Sequence, residues 1–461
     1  MKLMKRITLI VAMIVLTLCA PKPAAAQNRY IVRTTGGLSS VLNLCGLLGC
    51  QVQGGLDGSV GQNFLVTSFN PLSTILNLVE SLLGIVSIEA DHLLPIPQPS
   101  VNSIPSGLYD TAPVNYYGTV AWHGYAAQPA AQIIRLQDAQ NGFRISGTGI
   151  VAVIDTGVDV SHPVLYPVLL PGYDFTRNQP GASEWLDVPQ LQDSIQDYQS
   201  QQAPAHVQQS SVAVLDQSSV AVLDGGPYAA FGHGTMTSGL VHLVAPAAKI
   251  LPLKSFSANG TGYLSNIVAA LYYAVQHHAN VVNMSFDLTS SSSALNQAVS
   301  YANKAGVVLV AAAGNENTSA RVYPASLNGY VVGIASTTDW DTRSSFSNYG
   351  SADVWIAAPG EYVISTYPGG TYAAASGTSF SSPIVAGTVS LLRSAKSQSV
   401  NQSQAANALA HAQQLTGDLN HGRLNVYQAV SAWVNSYSSD DSSSSSTTTT
   451  SGSSSCSLLC L

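Results

Sequence analysis

The sequence predicts a doubly wound α/β domain on a mostly parallel sheet, preceded by a small α+β unit. Three observations predict it. From about Gly147 to Gly387, short and nearly continuous apolar runs recur at Gly149 to Ile154, Lys249 to Leu253, Val281 to Ser285 and Val307 to Ala312. Helical patterns such as Leu264, Ile267, Val268, Leu271, Tyr272 and Val275 fall between the later runs. Strands apolar on both faces with helices between them describe a parallel sheet covered on both sides. Residues 27 to 98 have a different rhythm. Tyr30 to Arg33 is a strand candidate, Leu38 to Leu48 a helix, and Asn63 to Phe69 a strand. Leu72, Ile75, Leu76, Val79 and Leu83 keep helical spacing, and Ile85 to Glu89 closes with a strand. Pro95, Pro97 and Pro99 then punctuate a linker.

The two ends and one interruption complete the organisation. Lys2, Lys5 and Arg6 precede an apolar run from Ile7 to Ala20, and Ala24-Ala25-Ala26 offers small residues for cleavage. Residues 1–26 therefore read as an export signal, too short to span a membrane comfortably. A main domain is assigned to residues 99–437. Within it, residues 178–226 are polar and Gln-rich, with a tandem repeat of Ser210 to Gln217 and Ser218 to Gly225, and are expected to be a surface insertion. Residues 438–461 form a Ser/Thr-rich tail that cannot bury a core.

With 46% hydrophobic and 9% charged residues, solubility rests on Ser, Thr, Asn, Gln and Gly. The formal charge of −7 and the absence of a basic run after the signal exclude an electrostatic nucleic-acid partner. No later stretch is long and apolar enough for a membrane span. Of five cysteines, Cys45 with Cys50 and Cys456 with Cys460 are spaced so that each pair can close a small loop, and none carries a zinc-type spacing.

Four short segments carry chemistry. Asp155-Thr156-Gly157 follows an apolar strand, where open α/β sheets place their sites. Gly232-His233-Gly234-Thr235 opens a helix, and the flanking glycines leave the imidazole room to meet a partner. Ala312-Ala313-Gly314-Asn315 ends another strand, and its amide is suited to donate to a developing oxyanion. Gly377-Thr378-Ser379 begins an apolar helix, where backbone N–H groups and the helix dipole favour negative charge at a serine. Each alone has an ordinary explanation: a turn, a helix cap or a buried histidine. An aspartic protease would need a second Asp-Thr-Gly or Asp-Ser-Gly, which is absent. An esterase would ordinarily show Gly-x-Ser-x-Gly with the histidine last.

In this order and with these neighbours, residues 147 to 395 resemble the subtilisin-like serine proteases (subtilases, peptidase family S8). Val151 to Asp159, Gly232 to Thr235 and Gly377 to Ser379 match the blocks around that family's catalytic residues. Val244-Ala245-Pro246, Asn283-Met284-Ser285 and Ala357-Ala358-Pro359-Gly360 look like its recurring segments. The resemblance implies a secreted serine-type endopeptidase acting through Asp155, His233 and Ser379. It implies Asn315 as oxyanion donor, and substrate pairing along Ser285-Phe286 and Ala313-Gly314. Residues 27–98 resemble an inhibitor-I9-type, ferredoxin-like propeptide, implying a self-processing zymogen inhibited by its own N-terminal unit. Protein or peptide substrates and a monomer are expected, and no cofactor is required for the chemistry. Calcium is common in the family as a structural ion. Here the short connection before Val244-Ala245-Pro246 and Val164 after His162-Pro163 lack the donors of the usual strong site. Phe286-Asp287, Phe380-Ser381 and Met236 depart from the family pattern. The rival reading is an inactive surface-binding protein on the same fold.

Overall fold

The computed structural model describes residues 27–79, 84–96, 105–189, 213–214, 228 and 230–436. Residues 1–26, read above as an export signal, the linker after Ile96, nearly all of the tandem repeat, and the tail with Cys456 and Cys460 lie outside the described residues.

The N-terminal unit runs β1 (Asn28–Thr34), α1 (Gly37–Leu48), β2 (Gln51–Gly55), β3 (Asn63–Ser68), α2 (Leu72–Val79) and β4 (Ile85–Ala90), with antiparallel strands in the order β2-β3-β1-β4. The strand period of two sorts its faces. Tyr30, Val32, Phe64, Val66 and Ile88 bury against Val41, Leu44 and Leu48 of α1 and Ile75 of α2. Ile31 points the other way, into a core shared with the main domain. β2 escapes the pattern reading because Gln51-Val52-Gln53-Gly54-Gly55 is polar, glycine-rich and mostly exposed. Cys45 and Cys50 are joined across the end of α1.

Two elements carry this unit onward. β5 (Leu93–Pro95) leaves the small sheet, and the main domain then begins its parallel strands with β6 (Ile150–Asp155). There follow β7 (Tyr173–Asp174), β8 (Gln179–Pro180), α3 (His233–Val244), β9 (Lys249–Lys254), β10 (Thr261–Tyr263), α4 (Leu264–Gln276), β11 (Val281–Met284), α5 (Ser293–Lys304) and β12 (Val308–Ala312). β13 (Val331–Thr337), β14 (Ile356–Pro359), β15 (Val363–Tyr367), β16 (Thr371–Ala375) and α6 (Thr378–Lys396) complete the part that matters for the site. The sheet order is β8-β7-β9-β6-β11-β12-β13-β14, parallel except for the β7–β8 edge pair. The expected mostly parallel, doubly wound sheet is therefore present.

Alternation along each strand divides the core. Val151 and Val153 of β6 and Val308 and Val310 of β12 join the cluster that holds α3 and α6. Ala152, Ile154, Leu309 and Ala311 join the one that holds α4 and α5. All of α3 is buried, as is α6 from Thr378 to Leu392, so these are core helices rather than amphipathic covers.

The N-terminal unit rests on α4 and α5. Asp91 accepts from the Ser265 N–H at 2.8 Å, and Glu89 accepts from the Ala294 N–H at 2.6 Å. Both carboxylates thus satisfy donors that a helix start leaves open, at the favourable pole of its dipole. β5 pairs antiparallel with β10, Leu94 opposite Gly262, and the Ile96 N–H donates to the Gly260 carbonyl at 2.6 Å.

Candidate active site

Because β6, β9, β11 and β12 are parallel neighbours, their carboxyl ends open on one edge of the sheet. That edge collects Asp155, Lys254, Ser285 and the Ala313-Gly314-Asn315 turn. His233 and Ser379 arrive there from the first turns of α3 and α6.

The Asp155–His233 pair is buried and directly bonded, with 2.7 Å between Asp155 Oδ1 and His233 Nδ1. Asp155 also accepts from the Thr156 N–H at 2.7 Å and the Thr237 hydroxyl at 3.1 Å, so its carboxylate is fixed from three sides. Glycine is needed to bring these chains together. A Cβ at Gly234 would lie 2.1 Å from the Gly157 carbonyl oxygen, and one at Gly232, which sits at φ 88°, would strike the Tyr367 ring at 2.3 Å.

Ser379 stands at the head of α6, where Pro383 makes a gap in the helix ladder. Proline has no N–H to give the carbonyl four residues earlier. The freed Ser379 carbonyl instead accepts from Ser285 Oγ at 2.8 Å, while the Ser379 hydroxyl donates back to the Ser285 carbonyl at 3.2 Å. Asn283 donates to Ser285 Oγ at 2.9 Å and accepts from Ser382 at 2.7 Å. The end of β11 is thus stitched to the first turn of α6. His233 Nε2 has no hydrogen-bond partner among the described residues, and the His233 ring packs 5.2 Å from that of Phe380.

Asn315 accepts at Oδ1 from both the N–H and the hydroxyl of Thr378, each at 2.9 Å. That fixes its amide with Nδ2 turned away, 3.4 Å from where a Cβ on Gly377 would stand. Gly314, at φ 94°, would bring a Cβ within 2.9 Å of Asn348 Nδ2, Glu316 Oε2 and Asp287 Oδ2, so this turn leaves no room for a side chain. Phe286 does not stand open beside Ser285. Its ring is buried against Phe256, in the core cluster that also takes Ile96 from the N-terminal unit. Burial and the neighbouring Glu316 carboxylate push Asp287 up to about 7.

Sequence reasoning missed one part of the site. Residues 178–189, assigned to the surface insertion, instead pack against the catalytic edge. The Val158 N–H donates to the Ala182 carbonyl at 2.8 Å, and Glu184, 1% exposed, lies behind Thr156 and the start of α3. Lys254, fully buried, donates to the carbonyls of Thr156 (2.6 Å) and Phe256 (2.8 Å) and to Asp187 Oδ2 (2.7 Å). A lone acid in a polar stretch some fifty residues before the histidine gives no local signal of this placement. Among the described residues, no group of three or more His, Cys, Asp or Glu is placed to hold a metal ion, and no helix is long and apolar enough to cross a membrane.

The subtilase family model matches residues 147–451. Among curated relatives, a thermophilic serine proteinase of Bacillus sp. (strain AK1) is 34% identical over 282 residues, covering 61% of this chain and 61% of that protein. Thermitase of Thermoactinomyces vulgaris is 33% identical over 308 residues, covering 64% of this chain and 94% of its own. Among solved structures, fervidolysin of Fervidobacterium pennivorans, described as a keratinolytic enzyme related to subtilisin, superposes with a TM-score of 0.66 at 22% identity. That likeness covers 89% of this chain and 62% of fervidolysin, and it speaks to the fold. With the family model matched over most of the main domain, the chain belongs to the subtilase family.

Proposed function

We propose that the protein is a secreted serine endopeptidase, made as a self-processing zymogen, in which Asp155, His233 and Ser379 form the catalytic triad. The observation that carries this reading is the buried 2.7 Å Asp155–His233 bond at the carboxyl edge of the sheet, with Ser379 heading the adjacent core helix. In the reaction, Ser379 Oγ turns from the Ser285 carbonyl to His233 Nε2, the nitrogen left unpartnered, and attacks the scissile carbonyl as the imidazole takes its proton. Asp155 holds Nδ1–H and stabilises the imidazolium, which then protonates the leaving amine. The Asn315 amide and the Ser379 N–H receive the oxyanion, and water releases the acyl group by the same steps in reverse. No cofactor enters this chemistry.

Protein or peptide substrates are expected to lie extended between Ser285 and the Ala313-Gly314 segment. The zymogen reading is supported by β5, which pairs as an extended chain with β10, the strand that follows the Lys254 end of β9. Residues 27–98 would then act as inhibitor until cut away. In secreted, folded protein, Ser379→Ala is expected to lose peptide hydrolysis, self-processing and labelling by a fluorophosphonate. N-terminal sequencing of the wild type should find a new terminus close to residue 99. A Ser379→Ala protein that still cleaves peptides would refute the triad. Wild-type protein that folds and processes but takes no label would favour the inactive binding protein.

A further inference from the structure

Glu184 makes no contact with the reacting side chains, yet it touches the residue after Asp155 and the two residues after His233. Its Oε1 accepts from the Thr156 hydroxyl (2.5 Å), the Gly234 N–H (3.0 Å) and the Thr235 N–H (3.3 Å), and its Oε2 accepts from the Thr235 hydroxyl (2.8 Å). Every one of these bonds is one it accepts, so the surroundings are built for the carboxylate rather than the acid. Burial opposes that and raises Glu184 to about 7, against the pull of the Thr156 and Thr235 hydroxyls and of Lys254. A buried carboxylate at such a cost calls for a compensating role.

The charges around it indicate that role. His233 is the first residue of α3, where the positive pole of the helix disfavours an imidazolium. Glu184 sits on the N–H groups of that pole. The titratable groups that act on it are Asp155 from β6, Lys254 from β9 and Tyr367 from β15, while Asp187 from its own turn shares Lys254 and His233 precedes the Gly234 N–H it holds. The three protons of Lys254 go to Thr156, Phe256 and Asp187, and none goes to Glu184. Asp187 is further paired with Arg177, which also binds Asp174. Lys254 therefore acts on Glu184 through its charge alone, and His233, the residue before the Gly234 N–H that Glu184 holds, adds a second cation there when it carries the proton taken from Ser379.

We propose that Glu184 is a positioning residue for the catalytic pair: it clamps the Asp155 and His233 limbs to each other and, as an anion, offsets the helix pole so that the imidazolium forms. This rests on the triad reading above. The clamp is made of Glu184 together with Thr156 and Thr235, and it acts through His233 without touching substrate.

The test compares self-processed wild type with Glu184→Gln, which keeps the shape and an acceptor but loses the charge. Removing an anion near the imidazole makes it harder to protonate. The acidic limb of the kcat/KM profile is therefore expected to move to lower pH by about half to one unit, with kcat at pH 8 lowered about three- to tenfold and KM unchanged. A purely structural cap would lower thermal stability and leave the limb in place, and that outcome overturns the proposal. If Glu184→Gln does not accumulate folded, Thr156→Val, which removes one of the four donors, must shift the limb in the same direction by a smaller step. An unshifted limb there overturns it equally. The two readings fail separately. Wild type that neither cleaves nor labels at Ser379 sinks the protease, whereas active wild type with an identical Glu184→Gln profile sinks only the clamp.

Discussion

The two halves of the site are built from different materials. On the Asp155–His233 side, buried charges set the geometry: Asp155 holds Thr156 and His233, Glu184 holds Thr156 and the start of α3, and Lys254 pairs with Asp187. On the Ser379–Asn315 side, the groups are neutral: Ser285, Asn283, Thr378 and Ser382 hold a serine and an amide through hydroxyl, amide and carbonyl bonds. The difference follows what each half must do. On the proposed triad, the first would hold a full charge, the imidazolium, and needs permanent counter-charge. The second would receive charge only while the tetrahedral intermediate lasts, and fixed dipoles serve that without cost in the resting state.

The comparison can be broken from either side. The largest effect is expected from the charged half. Asp155→Asn offers an N–H toward Nδ1 and forces the wrong tautomer, so kcat should fall by about 10⁴ with the fold intact. Equal activity in the two proteins would show that charge on this side is dispensable. On the neutral half, Asn315→Ala should lower kcat by about 10²–10³, the size known for such a donor in subtilisin, with KM little changed. A loss confined to KM would mean that Asn315 binds substrate and not the oxyanion.

Asp287 sharpens the contrast, because it is the charge that the neutral half leaves unmatched. Its Oδ2 is buried without a hydrogen-bond partner. Its folded pKa is raised from 3.8 to about 7, so the folded state resists ionising it. Stability is then highest below the unfolded value and declines as pH rises from about 4 through 7. Asp287→Asn should accordingly raise stability by about 1–3 kcal/mol at pH 8, with the gain vanishing near pH 4. Thermal unfolding at the two pH values measures it, and a gain independent of pH would dismiss the electrostatic account. The smallest effect should come from Pro383→Ala. It restores an N–H that competes with Ser285 for the Ser379 carbonyl, worth about 1 kcal/mol, and kcat/KM on extended peptides should drop by less than tenfold. No change would mean that the Ser285 link does not position the nucleophile.

The charged and neutral halves were unequally legible in the sequence. Asp155, His233, Asn315 and Ser379 stand out because their neighbours must be small. Gly157 and Gly234 are crowded by backbone, Gly232 by a ring and Gly314 by polar side chains, so the steric demand leaves a local signature. The sheet was legible for a related reason, since strands buried on both faces have few polar residues to obscure them. Glu184 and Lys254 were not legible. A buried ion is recognised by its partners, and theirs lie dozens of residues away in an otherwise polar or strand-like context. β2 escaped for want of apolar residues, and strand position alone does not say that the Phe286 ring turns into the core against Phe256.

The depth of Lys254 also bears on the medium in which the protein works. Mobile ions screen exposed charges beyond about 8–10 Å at moderate salt, but they do not enter a packed interior. Lys254 is fully buried, and the side chains of Asp155, His233 and Asp187 are 7% exposed or less. The field at the imidazole is therefore set by the fold and shielded from the surrounding electrolyte. Turnover of an uncharged peptide should hold nearly constant as ionic strength rises, even where brine loosens the exposed pair of Arg135 and Asp138.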